Sequence, residues 1–281
     1  MGRNELVFAI ALVAASIVLL TGGQAFWIGL ATALAAFTVL WIVSLGLRNA
    51  SIVDIFWGPG LILVACVYLA VVPDRPTLRG LLACLLVMVW GLRLAVHIGV
   101  RNAGHGEDFR YRQWREQAGA SFWWTSYFKV FLLQAVVLWV VATPLLLAQL
   151  GEPGLTWLDV TGIAFWVIGF SFEAAADWQL MAFKRDPANR GKVMRSGLWA
   201  MSRHPNYFGE AVLWWGIGLI GTAGGGPLAL ISPLLLTFLL LKISGVAMLD
   251  KALVERRPGY AEYVASTPAF VPLPPWARRC D

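Results

Sequence analysis

The chain alternates long apolar runs with short polar breaks. Apolar stretches fall at about 5–20, 25–47, 52–72, 80–99, 126–149, 158–181, 206–221 and 228–249. The longer ones approach or exceed the roughly 20 residues an α-helix needs to cross a hydrocarbon core of about 30 Å. None shows the alternation expected of a transmembrane β-strand. The pattern predicts an all-α, polytopic membrane helical bundle. Because the first and seventh stretches are short, the expectation is seven to eight transmembrane helices. Residues 1–281 read as a single integral membrane domain, an extra N-terminal span at about 5–20 preceding a core at about 25–281. The first stretch, flanked by Arg3 and by Thr21, Gly22 and Gly23, has the outline of a signal peptide, but a retained anchor keeps the span number even.

With 59% hydrophobic and 14% charged residues, the chain has no room for a sizeable soluble domain. From a cytoplasmic N-terminus, Arg48, the 101–115 loop, the 184–203 loop and the 251–279 tail all fall inside, leaving Arg75 and Arg79 outside. The positive-inside rule requires this asymmetry. The net charge of +6 is therefore a topology signal, which removes nucleic acid as a partner and leaves the lipid bilayer. The functional face is expected towards the cytoplasm. Cys66, Cys84 and Cys280 have no paired or metal-binding spacing and read as small packing residues.

Polar chemistry concentrates at a few positions. Ser202, Arg203, His204, Pro205, Asn206, Tyr207, Phe208, Gly209 and Glu210 form a dense donor and acceptor cluster leading into an apolar run. Such a set suits an anionic, many-oxygen ligand, and the preceding Lys184, Arg185, Arg190, Lys192 and Arg195 add phosphate-binding capacity or attraction to anionic lipid. Glu173 and Asp177, four residues apart, share one helix face inside the sixth stretch. Glu173 lies about 12 Å from the cytoplasmic end at helical rise, so it needs either an ion pair with an arginine such as Arg93 or a ligand donating to it. Arg93, His97 and Arg101 give the fourth span a basic face. The 102–115 segment mixes charges as a solvated surface or a lid would. His105, Glu107 and Asp108 lack zinc spacing, so no metal site is expected. Asp54 opens the third stretch among Ile, Phe and Trp, either as a helix cap or as a desolvated, protonated carboxyl able to donate.

Leu198, Trp199 and the run from Ser202 to Glu210, followed by Glu255, Gly259, Tyr260, Tyr263, Pro268 and Pro272, resemble the membrane steroid 5-alpha-reductase superfamily. The likeness is in particular to its bacterial branch of uncharacterised reductase-like proteins (DUF1295), related to the sterol C14 and C24 reductases, which implies a bacterial inner membrane as the setting. The likeness covers most of the third to eighth stretches. It implies an all-helical membrane fold with NADPH in a cytoplasmic-side cofactor pocket, and reduction of an activated C=C bond in a lipophilic, steroid- or sterol-like substrate entering from the membrane. Under it, Asn206 and Glu210 match cofactor-holding positions, and Arg203, His204 and Tyr207 match the sterol reductase version. Asp177 matches an aspartate, Glu173 stands in place of an asparagine, Arg93 matches a cofactor-binding arginine and Lys184 replaces another. Leu198, Trp199, Arg195, His97 and Arg101 complete the expected cofactor set. Asp54 falls near the substrate-activating glutamate, and Trp90 stands in place of its partner tyrosine. The tail lacks the family's histidine.

The same Arg203, His204, Pro205, Tyr207 and Gly209, with Glu255 and Tyr260, are similar to isoprenylcysteine carboxyl methyltransferases, which bind S-adenosylmethionine. A non-enzymatic scaffold or transporter is the third class, though no inverted repeat supports transport.

Overall fold

The computed structural model describes residues 23–72, 76–152, 154–243 and 246–277, and among them the chain is helical with no strand. Its helices are α1 (Gly23–Leu47), α2 (Ile52–Val71), α3 (Leu78–Asn102), α4 (Phe109–Ala118), α5 (Phe122–Ser126), α6 (Leu133–Val141), α7 (Thr143–Leu150), α8 (Trp157–Arg185), α9 (Pro205–Gly225), α10 (Ile231–Phe238), α11 (Val246–Arg256) and α12 (Tyr260–Ser266). Two compact units emerge. The first runs to Asp159 and adds Ile220–Ser232; the second takes Val160–Leu219 and the chain from Pro233 onward.

In the first unit, α2 and α3 pack where both lack a side chain. A β-carbon on Gly58 would sit 2.1 Å from the Gly91 carbonyl oxygen, so only glycine permits this approach. Small residues at helix crossings replace the hydrophobic drive that lipid removes. Residues Val137–Ala148, along α6 and α7, are buried throughout, and the Trp139 indole donates to the Phe26 carbonyl at 2.9 Å. Pro144 starts α7 at a position whose N–H would be unpaired in any helix.

A buried ion pair closes the end of this unit. Arg79 and Asp159 have side-chain exposures of 2% and 0%, and Arg79 Nε donates to Asp159 Oδ1 at 2.9 Å. The guanidinium also donates to the carbonyls of Glu152 and Gly154, and Thr156 donates to Asp159 from both its N–H and its hydroxyl. Arg79, expected on the outer side, is thus engaged in a buried clamp.

Among the described residues, five helical stretches are long and apolar enough to cross a membrane: α1, α2, α3, the run Phe109–Leu150 and α8. The protein is therefore an all-helical membrane protein. Against the expected seven to eight spans, the stretch at 5–20 lies outside the described residues. That at 206–221 forms α9. Of the one at 228–249, the part up to Ile243 is a short apolar helical stretch that begins at Pro227 and runs through a 3-10 turn, α10 and a π-helical turn, and Val246 opens α11. The 102–115 segment also differs from a loop. Asp108 accepts the Arg110 N–H at 3.0 Å and starts α4, so half of it is helix.

The second unit depends on a glycine seam. A β-carbon on Gly169 would meet the Leu213 nitrogen at 2.3 Å, one on Gly209 the Glu173 nitrogen at 2.5 Å, and one on Gly216 the Gly162 carbonyl at 2.4 Å. Gly162 and Gly169 on α8 are two turns apart, as are Gly209 and Gly216 on α9, so the two helices touch backbone to backbone.

Removing one half of the buried pair leaves a stranded charge, which costs about 3–5 kcal/mol. Arg79→Ala should therefore lower the thermal midpoint in detergent sharply. An unchanged midpoint would show that the clamp contributes nothing.

Candidate functional site

The seam brings Glu173 and Asp177 of α8 against the first turns of α9. Glu173 and Asp177 are 2% and 6% exposed, inside a span where such burial demands partners. Asn206 Nδ2 donates to Asp177 Oδ1 at 3.1 Å, while Asn206 Oδ1 is buried with no hydrogen-bond partner among the described residues. Glu210 follows one turn later, adding a third carboxylate to a site rich in acceptors. Such a site suits a ligand that brings N–H and O–H donors.

The segment ahead of α9 is stitched to the C-terminal tail. Ser202 donates to the Phe270 carbonyl at 2.8 Å and accepts the His204 N–H at 3.1 Å. The Arg203 N–H donates to the Pro268 carbonyl, and the Leu273 N–H to that of Met201. Tyr263 donates to the Trp199 carbonyl. Pro205 then occupies the first helical position, where its fixed φ fits and its missing N–H costs nothing.

Asp250 of α11 gathers the cations of this segment. Its Oδ2 accepts from Arg203 Nε at 3.1 Å and Nη2 at 2.8 Å; its Oδ1 takes the His204 imidazole at 2.9 Å and the Tyr260 hydroxyl at 2.7 Å. Arg203 Nη1 is directed to the carbonyls of Val264 and Thr267. Burial alone would push the Asp250 carboxyl up, but hydrogen bonds from His204, Arg203 and Tyr260 hold it well below the usual carboxylate range. Burial, then the hydrogen bond to Asp250, push the Tyr260 phenol up.

All three guanidinium nitrogens of Arg203, and Nε2 of His204, are thus engaged within the protein. Trp199 and Leu198 likewise face inward. The Trp199 indole donates to the Ala176 carbonyl at 3.0 Å, and the Leu198 N–H to Gln179 Oε1 at 2.9 Å. Arg195 donates to the Gly259 carbonyl and pairs with Glu262 at 3.4 Å. Lys184 is exposed in the last turn of α8, and the His204 ring stacks on Tyr207 with centroids 5.5 Å apart.

The other expected site residues belong to the first unit. Asp54 is paired: Arg110 Nη2 donates to Oδ2 and the Tyr111 hydroxyl to Oδ1, each at 2.6 Å. Both oxygens of the Asp54 carboxyl are thus engaged from α4, and the contact ties the start of α2 to that helix. Asp54 does not cap α2, whose cap position is Ser51. Trp90 is 2% exposed within the packed interior. Arg93 and His97 are half-buried, and Arg101 is exposed, bonding to Asn102 at 3.2 Å.

The charged 102–115 segment is not merely solvated. Glu107 accepts the Ala50 N–H at 2.7 Å and a two-pronged contact from Arg115. Burial pushes its carboxyl up, but these bonds outweigh it and hold it below its ordinary value. An open, mainly apolar groove of about 540 Å³ runs along α1 and α2, lined by Thr32, Ala36, Leu40, Phe56 and Leu63 among others. Among the described residues no cluster of metal-binding side chains occurs.

Sequence reasoning missed Asp250, the residue that organises the motif. Its signal was an isolated acid beside Lys251, Arg256 and Arg257, ten residues before Tyr260.

A family profile described as "Protein of unknown function (DUF1295)" matches residues 40–267, and the chain belongs to that family. A protein of Ustilaginoidea virens named as a probable O-methyltransferase is 34% identical over 65 residues, 23% of this chain and 22% of that protein. An uncharacterised protein of Schizosaccharomyces pombe is 25% identical over 222 residues, 70% of this chain and 64% of the other. The chain thus spans less than two thirds of either relative.

The folded state holds the Asp250 proton less tightly than the unfolded chain does. Asp250 therefore stabilises the fold above its ordinary value of 3.8, and that contribution is lost as pH falls below it towards the depressed folded value. Acid unfolding followed by circular dichroism should be steeper between about pH 4 and pH 2 in the wild type than in Asp250→Asn. Equal slopes would contradict the assignment.

Proposed function

We propose that this member of the DUF1295 family is an NADPH-dependent reductase of an activated C=C bond in a lipophilic substrate. The observation that carries the reading is the acceptor row on α8 and α9: Glu173, Asp177, Glu210 and the buried, unpartnered Asn206 Oδ1. The carboxamide N–H groups and ribose hydroxyls at the nicotinamide end of the cofactor are donors that complement such acceptors, Asn206 Oδ1 first among them. The phosphates at its other end need cations, and the same unit exposes Lys184, Arg185, Arg190 and Lys192 between α8 and α9. With Arg203 and His204 engaged by Asp250, the phosphate-binding role passes to this segment.

When bound, the cofactor would supply hydride to the alkene, while the protein positions the two reactants and excludes water. An apolar substrate can arrive from the bilayer. The excess of basic residues in the 101–115, 184–203 and 251–279 segments supports a cytoplasmic site in a bacterial inner membrane, where NADPH is available. Asp54 enters this reading as the anchor that joins α2 to α4 rather than as the acid.

A second reading is a methyltransferase using S-adenosylmethionine. It is favoured by the relative named as an O-methyltransferase and by the suitability of carboxylates for an ammonium group. That methyl donor carries no phosphate and would draw no binding from the basic segment.

Thermal unfolding of the purified protein distinguishes the two. At a concentration 100 times its Kd, a ligand stabilises the native state by about 2.7 kcal/mol. NADPH should raise the midpoint more than NADH or S-adenosylmethionine at equal concentration. A larger shift with S-adenosylmethionine would overturn the reductase.

A further inference from the structure

Arg203, His204 and Tyr260 come from two separate parts of the chain and converge on one carboxylate. All four hydrogen bonds to Asp250 lie between 2.7 and 3.1 Å, and its side chain is 16% exposed. Arg203 and His204 immediately precede α9, and Asn206 lies in its first turn. His204 is 4% exposed, and its ring lies parallel to that of Tyr207, with an interplanar angle of 4°. One anion therefore fixes the plane of a histidine that supports a tyrosine, and the path of the backbone that aims an asparagine. Hydrogen bonds to a charged group are the strong ones, and their directionality sets orientation as well as stability.

We propose that Asp250 is the positioning residue of the nucleotide site. It does not touch the ligand but sets the entry of α9, and so the aim of Asn206 and Tyr207, through Arg203 and His204. The proposal rests on the nucleotide-binding reading above and goes beyond it, because it makes α11 and the following tail part of that site. It also gives the arginine and histidine of the motif a different task from ligand contact. They are the handles by which the tail grips the helix.

The full chain in detergent is compared as wild type, Asp250→Asn, Asp250→Glu, Asn206→Ala and the Asp250→Asn/Asn206→Ala double variant. NADPH affinity is read by fluorescence titration, and the His204 imidazole by nitrogen NMR without ligand. Asp250→Asn should weaken NADPH binding about tenfold or more and move the His204 ring shifts, since a charge-assisted contact becomes a neutral one. Asp250→Glu should restore most of both. Because Asp250 acts through Asn206, the double variant should bind little worse than Asp250→Asn alone. A purely structural aspartate would give additive losses and no dependence on carboxylate chemistry.

Wild-type affinity in Asp250→Asn, unchanged His204 shifts, or additive losses would each overturn the proposal while leaving the reductase reading in place. Failure of the wild type itself to bind NADPH would overturn that reading, and the positioning role with it.

Discussion

A charge held inside a membrane protein must be answered by another group of the same chain, because neither lipid nor bulk water is there to do it. Three aspartates meet this requirement in three ways. Asp159 is answered by Arg79 and the Thr156 N–H and hydroxyl, Asp54 by Arg110 and Tyr111, and Asp250 by Arg203, His204 and Tyr260. Each pairing joins segments far apart in sequence. Electrostatic satisfaction and tertiary stitching are thus the same event. In a medium where hydrophobic burial gives helices little reason to associate, this directional bonding and the close packing of glycines decide which surfaces meet.

The glycine contacts of α8 and α9 have a chemical consequence. Gly209 approaches the backbone at Glu173, so the two helices run close enough for Asn206 to reach Asp177 across the seam. A side chain at Gly209 would push the acceptor row apart. The seam thus links packing to recognition: small residues allow the approach, the approach assembles carboxylates and an amide, and that set favours a ligand rich in donors.

Much of this was legible in the chain. Apolar length and the absence of alternation point to a membrane helix bundle, and the Ser202 to Glu210 run stands out because no packing need explains it. The four-residue spacing of Glu173 and Asp177 places them on one face. What could not be read was which donor would answer which acceptor. Arg203 and His204 look like ligand contacts because residue type cannot reveal that Asp250, 46 to 47 residues on, takes both. The neighbours of Asp54 in sequence are apolar, and nothing local announces that Arg110 and Tyr111 meet it in space. The mixed charges of 102–115 resemble a solvated surface, yet Glu107 and Arg110 bond across 56 or 57 positions to Ala50 and Asp54. Long-range pairing is a property of the fold, and local pattern carries little of it.

Membership of the DUF1295 family leaves the chemistry to be argued from the site, and the site is a row of acceptors beside an exposed basic segment. A dinucleotide phosphate matches both halves, and a methyl donor matches one. Native mass spectrometry of the chain, released from detergent after incubation with NADPH and S-adenosylmethionine together, tests this most directly. A one-to-one complex with the dinucleotide is predicted. Retention of S-adenosylmethionine with no dinucleotide complex would contradict it.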